Sequence, residues 1–190
     1  MNLPDKKYDI VLMDPPWYYG NKTGMAAAEK HYRTMKDAEL MALDVPSILK
    51  PTSIVFCWAT GPRLDFAMQL MAHWNLHYRC MAFVWVKTTK AGVPYGARGI
   101  RPTIVKPTTE FVLACSPMRK GRPMQPQDLT IPQVLMASPT EHSKKPEDIH
   151  ERIDKLYPDA TKLEMFARRP YKDWDVWGNE VGYITEEAPE

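Results

Sequence analysis

No stretch of this 190-residue chain is apolar enough, for long enough, to span a bilayer. The first residues, Met1-Asn2-Leu3-Pro4-Asp5-Lys6-Lys7, lack the apolar centre of a signal peptide. Together these absences predict a cytoplasmic protein with no membrane partner. Cysteine is scarce: Cys57, Cys80 and Cys115 each lie in an apolar, strand-like run without C-x-x-C spacing, which argues against a disulfide framework and for buried, reduced thiols. His73 and His77 are four apart, but Asn75-Leu76 between them reads as a helix end and no carboxylate lies nearby, so no metal site is expected. Neither an internal repeat nor a linker-like tract divides the chain. One domain over residues 1–184 follows, with the acidic stretch 185–190 as a disordered tail.

What is present is an ordinary globular composition, 44% hydrophobic and 25% charged, with a net charge of only +2. The charge is unevenly placed. Between Lys87 and Arg122 the basic residues Lys87, Lys90, Arg98, Arg101, Lys106, Arg119, Lys120 and Arg122 face a single acid, Glu110. A polyanion would be drawn to such a segment, although a solvated basic loop has the same composition.

The chain is organised around Asp14-Pro15-Pro16-Trp17. Tyr8 to Met13 before it is a β-branched and aliphatic run suited to a buried central strand. Two prolines can neither extend a sheet ladder nor continue a helix, so the backbone turns there. An acid, free carbonyls and an indole are thus placed at a strand's carboxyl end, where open α/β sheets bind ligands. A proline-terminated strand with a packing tryptophan fits the same four residues.

Further along, Tyr18 to Gly24 has the composition of a mobile loop, and Thr34 to about Leu43 reads as a short helix. Strands are expected over Thr52–Ala59, Arg79–Val86, Thr108–Cys115, Ile131–Ala137 and Lys162–Ala167, and a helix follows Thr60-Gly61-Pro62. Ser143 to Asp148 is a helix start, with Pro146 in the first turn and Ile149, Ile153 and Leu156 as an apolar face. The β-α-β-α-β order over the first half argues for a parallel sheet covered by helices. Glu164 is unusual inside a buried strand and needs a partner or a ligand.

These segments, taken in order, resemble the D-P-P-W type of adenine methyltransferase, the MT-A family. Asp14 to Trp17 matches its catalytic motif, His31-Tyr32-Arg33-Thr34-Met35 its Y-x-T-M segment, and Phe56-Cys57-Trp58-Ala59-Thr60 its F-L-W-x-T strand. Phe83 to Lys87 resembles the W-V-K strand. His142 to Pro146, Leu163 to Arg168 and Trp177 to Glu180 then recur in family order. The resemblance implies a Rossmann-like α/β fold that uses S-adenosylmethionine, with the catalytic motif permuted ahead of the cofactor strand. That permutation accounts for the absence of a G-x-G loop.

By the same resemblance, Asp14 and the Pro15 carbonyl accept hydrogens from the target amine, while Pro16 shapes the turn and Trp17 stacks on the base. Tyr32 matches a tyrosine near the target base, and Lys87, Arg98 and Arg101, from the basic stretch Lys87 to Arg122 that would form the nucleic-acid surface, fall on the substrate side. Asp14, Lys145, Glu164, Arg168, Asn179 and Glu180 fall on the cofactor side, with Lys145 toward the cofactor carboxylate and the last three toward its ribose and adenine. Glu180 departs from the glutamine of the mRNA enzyme. Only thirteen residues precede Asp14, so the adenine pocket is expected to be completed differently. Nucleic acid is the implied substrate, DNA ahead of RNA, with a homodimer as one source of recognition. A non-catalytic nucleic-acid-binding subunit and a methyltransferase for small molecules or protein amides are the competing classes.

Overall fold

In the strand Tyr8–Met13 (β1), side chains enter two different cores, Tyr8, Val11 and Met13 one and Ile10 and Leu12 the other, alternating from Ile10 onward after a register shift between Tyr8 and Ile10. Leu49–Thr60 (β2) divides the same way, with Val55, Cys57 and Ala59 on the first face and Ile54, Phe56 and Trp58 on the second. A strand apolar on both faces belongs in the middle of a covered sheet. The structure, a computed structural model, describes residues 2–19, 34–95, 104–140 and 144–184. Tyr32, Arg98, Arg101, most of the Tyr18–Gly24 loop and the 185–190 tail lie outside the described residues.

The remaining strands are His77–Lys87 (β3), Thr109–Ser116 (β4), Val134–Ala137 (β5), Lys162–Met165 (β6), Asp175–Gly178 (β7) and Gly182–Ile184 (β8). They form one eight-stranded sheet in the order β5-β3-β4-β2-β1-β6-β7-β8. Pairing is parallel except where β4 meets β2 and β3 and where β7 meets β8. The helices Asp37–Met41 (α1) and Leu64–His73 (α2) cover the first face through Leu40, Phe66, Ala67, Leu70 and Met71. Asp148–Leu156 (α3) covers the second through Ile149 and Ile153. The architecture is the expected mostly parallel, Rossmann-like α/β sheet flanked by helices.

Several local expectations need correction. β1, β2 and β3 run the same way, as expected, and β4 is inserted antiparallel between β2 and β3. Residues Asp173 to Glu180 are not merely a polar aromatic cluster: they contain β7, and β8 follows. Pro146 precedes α3 rather than occupying its first turn, its carbonyl accepting the Ile149 amide at 3.3 Å. Cys57 and Cys115 are buried as expected, but Cys80 is exposed, because β3 alternates burial with exposure where it begins. Asn75 (φ 57°) reverses the chain between α2 and β3, so His73 and His77 share no helix. Among the described residues no group of His, Cys, Asp or Glu is arranged to hold a metal, and no helix is long and apolar enough to cross a membrane.

Candidate active site

Side-chain alternation decides which groups meet. Asp14 follows β1 on the parity of Ile10 and Leu12. Lys87 shares the parity of Trp85 on β3, Glu110 that of Val112 on β4, and all four of these apolar residues belong to the α3-side core. Glu110 pairs with Thr60 at the carboxyl end of β2, so the antiparallel β4 enters at the edge where β1 and β2 leave. Lys145, just ahead of α3, reaches the same edge.

The result is a chain of alternating charges. Lys145 Nζ donates to Asp14 Oδ2 at 2.7 Å and stands 3.4 Å from Glu110 Oε2. Lys87 Nζ donates to the other Glu110 oxygen, Oε1, at 2.5 Å. The two ammoniums also lie over indoles, Lys145 over Trp58 at 5.5 Å and Lys87 over Trp85 at 5.0 Å. Burial works against ionisation of Glu110, yet the ammoniums of Lys145 and Lys87 hold its carboxyl below the ordinary range. Asp14 shows the opposite balance. Burial pushes its carboxyl up, Lys145 offsets only part of that, and Glu110 and Glu164 add to the rise.

The double-proline turn is fixed by its backbone. The Pro15 carbonyl accepts the Trp17 amide and the Pro16 carbonyl accepts the Met35 amide, both at 2.8 Å. Trp17 itself is 3% exposed, edge-on to Phe66 at 6.1 Å, with Arg63 over its ring. Its packing role is therefore filled in this structure, and stacking on a base requires one face of the ring to be uncovered.

On the other side of Asp14, Glu164 lies opposite Leu12 in the β1–β6 register and finds its partner in His150, Nε2 to Oε2 at 2.9 Å. Arg168 and Glu180 meet at 3.1 Å, both half exposed. Asn179 and Glu180 occupy the exposed turn between β7 and β8, held close to the strand end after β6 because Gly178 lies against Ala167. A Cβ on Gly178 would run into the Ala167 carbonyl oxygen, so only glycine permits that approach. All of the expected cofactor-side residues that are described thus gather at the carboxyl edge of β1, β6 and β7.

Two residues were missed. Glu110 was visible as the lone acid in a basic segment, but its place beside Asp14 depends on the direction of β4. His150 has no sequence signal beyond its position on α3. The basic segment also divides: Lys87 and Glu110 are at this edge, whereas the antiparallel β4 carries Arg119, Lys120 and Arg122 to the opposite edge.

The MT-A70 family profile matches residues 8–180. The chain belongs to the MT-A70 family. It is 34% identical to the type II methyltransferase M.MunI of Mycoplasma sp over 94% of this chain and 80% of that protein. It is 27% identical to the human N(6)-adenosine-methyltransferase catalytic subunit METTL3, covering 94% of this chain but 29% of that protein. Human METTL4, an N(6)-adenine-specific methyltransferase, is 26% identical over 93% of this chain and 38% of its own length. The MT-A70 relatives from eukaryotes are thus far longer than the shared region.

Proposed function

We propose that this chain is an adenine-N6 methyltransferase of nucleic acid, acting on DNA ahead of RNA. The observation that carries the reading is the 2.7 Å contact between Asp14 and Lys145, which joins the D-P-P-W turn to the segment before α3 across 131 positions of sequence. The support for DNA is the M.MunI relative, which this chain matches over most of both lengths. The relatives named as adenosine methyltransferases favour RNA as the second reading.

The donor set at the sheet edge suits S-adenosylmethionine. An ammonium (Lys145) and a carboxylate (Asp14) complement the two charges of its amino-acid end, and Glu164 Oε1, which has no hydrogen-bond partner among the described residues, suits a ribose diol. Arg168, Asn179 and Glu180 would flank the nucleoside. This group supplies an electrophilic methyl on a sulfonium. The chain's own residues supply everything else. Asp14 Oδ and the Pro15 carbonyl, whose oxygen has a second lone pair beyond the Trp17 amide, accept the two amine hydrogens and favour the tetrahedral nitrogen over the ring-conjugated one. Asp14 must be ionised to accept, and Lys145 favours that form. Trp17, once uncovered, walls the base, and Tyr32, Lys87, Arg98 and Arg101 serve the polymer. A base in duplex DNA has to leave the stack to reach this edge. We further propose that residues 1–184 form one methyltransferase domain in the cytoplasm, with short sequence context or a homodimeric partner supplying recognition.

Methyl transfer to DNA and RNA oligonucleotides, measured side by side, tests the reading. Wild-type transfer to DNA with none from Asp14→Ala is the expected result. Equal transfer by that variant would remove Asp14 from the mechanism, and transfer confined to RNA would reverse the substrate order.

A further inference from the structure

Three carboxylates crowd the sheet edge, and two of them are served by lysines. Asp14 has Lys145, and Glu110 has Lys145 and Lys87. Glu164 is different: its one partner among the described residues is the imidazole of His150, at 2.9 Å. We propose that His150 is a positioning residue for the cofactor. It aims Glu164 so that Oε1 is presented to the ribose hydroxyls of S-adenosylmethionine. The inference rests on the methyltransferase reading given above.

The chemistry of the pair favours this arrangement. An ionised carboxylate only accepts hydrogen bonds, so His150 Nε2 must carry the proton. Nδ1 is buried without a hydrogen-bond partner among the described residues. A lysine in this place would neutralise Glu164 and compete with a diol for both oxygens. A single imidazole donor fixes one oxygen and leaves the other available to the ligand.

The ring is also clamped. Tyr171 lies against it with centroids 4.3 Å apart, and Trp174 meets it edge-on at 5.1 Å. Trp174 is tied back to α3 by its own Nε1, which donates to Asp154 Oδ1 at 2.8 Å. His150 is only 9% exposed, so its donor has one direction available. Tyr171 and Trp174 belong to the connection between β6 and β7, which also carries Arg168. One aromatic box therefore holds both Glu164 and the segment beside the expected ribose site.

Calorimetric titration with S-adenosylmethionine, paired with steady-state methyl transfer, tests the role. His150→Phe fills the box but has no donor; His150→Gln retains one. We expect His150→Phe to weaken cofactor binding about tenfold with kcat at saturating cofactor within about twofold, and His150→Gln to recover most of the affinity. Wild-type affinity in His150→Phe, or equal weakening in both variants, would overturn the inference while leaving the function intact. No binding by the wild type would overturn the functional reading and this inference with it. Nitrogen-15 NMR of the wild-type imidazole is independent of any variant's folding: a proton on Nε2 supports the role, and the Nδ1–H tautomer excludes it.

Discussion

Asp9 and Asp14 sit at the two ends of one strand, β1, and their surroundings push their carboxyls in opposite directions. Asp9 Oδ2 accepts from Lys50 Nζ at 2.6 Å, from the Thr161 hydroxyl at 2.7 Å and from the Thr161 amide at 3.0 Å. Burial raises its carboxyl, but these three donors outweigh it and bring it below the ordinary range. Asp14 has the Lys145 ammonium and two neighbouring carboxylates, and it ends above that range. The first aspartate ties β1 to β2 and β6 and is satisfied by the protein. The second has Lys145 as its side-chain donor among the described residues, which is what the acceptor role proposed for it requires.

The largest effect that tests this contrast is on activity. Asp14→Asn should lower methyl transfer by about a thousandfold while leaving thermal stability equal or higher, because a carboxyl held above its ordinary range by partial burial and by Glu110 and Glu164 becomes a neutral amide. A variant that loses stability as well would place Asp14 with Asp9 among the structural groups. Next, Glu110→Gln should cost about 3 kcal/mol in denaturant unfolding, since it removes the carboxylate that Lys87 pairs with while Lys145 keeps Asp14. A loss confined to activity would show that Lys87 finds another partner. Asp9→Ala should cost about 2 kcal/mol through its hydrogen bonds to Lys50 and Thr161, with the transfer rate unchanged; a slower rate would mean that the two ends of β1 are coupled.

The smallest effect is a difference in pH dependence. Asp9 and Glu110, with lowered folded values, support the fold above the ordinary carboxylate range near about pH 4, and that support fades as pH falls through those values. Asp14 has the reverse sign. Its raised folded value means that its contribution is present below that range and is lost as pH rises through the folded value. The stability gap between Asp14→Asn and the wild type should therefore close near about pH 3 and open toward neutrality. A gap independent of pH would contradict the assignment.

Much of this arrangement is legible in the residues. The β-branched run of β1, the proline stop and the odd Glu164 are local signals, and the sheet edge is where they meet. What is not legible depends on direction and distance. A strand of period two reads the same in either orientation, so nothing in Thr109 to Ser116 announces that β4 is antiparallel and brings Glu110 beside Asp14. Strands of four and three residues, β7 and β8, are too short for an alternation to be recognised, although Gly178 marks the close approach to Ala167. Trp17 illustrates a third kind of gap. Packing and base stacking make the same demand on composition, and the structure fills the first.

Because β4 is reversed, the connection between β3 and β4 starts and finishes at the same edge of the sheet. Val86 pairs with Thr109, the Lys87 amide bonds to the Thr108 carbonyl at 2.8 Å, and the Lys87–Glu110 pair closes the neck across 23 positions. The neck is set by the sheet and not by what it encloses. Doubling the length of such an insert adds only about 0.6 kcal/mol of closure entropy. A lineage could therefore lengthen, shorten or exchange the enclosed sequence while the sheet edge that carries Asp14, Glu110 and Lys145 stays in place.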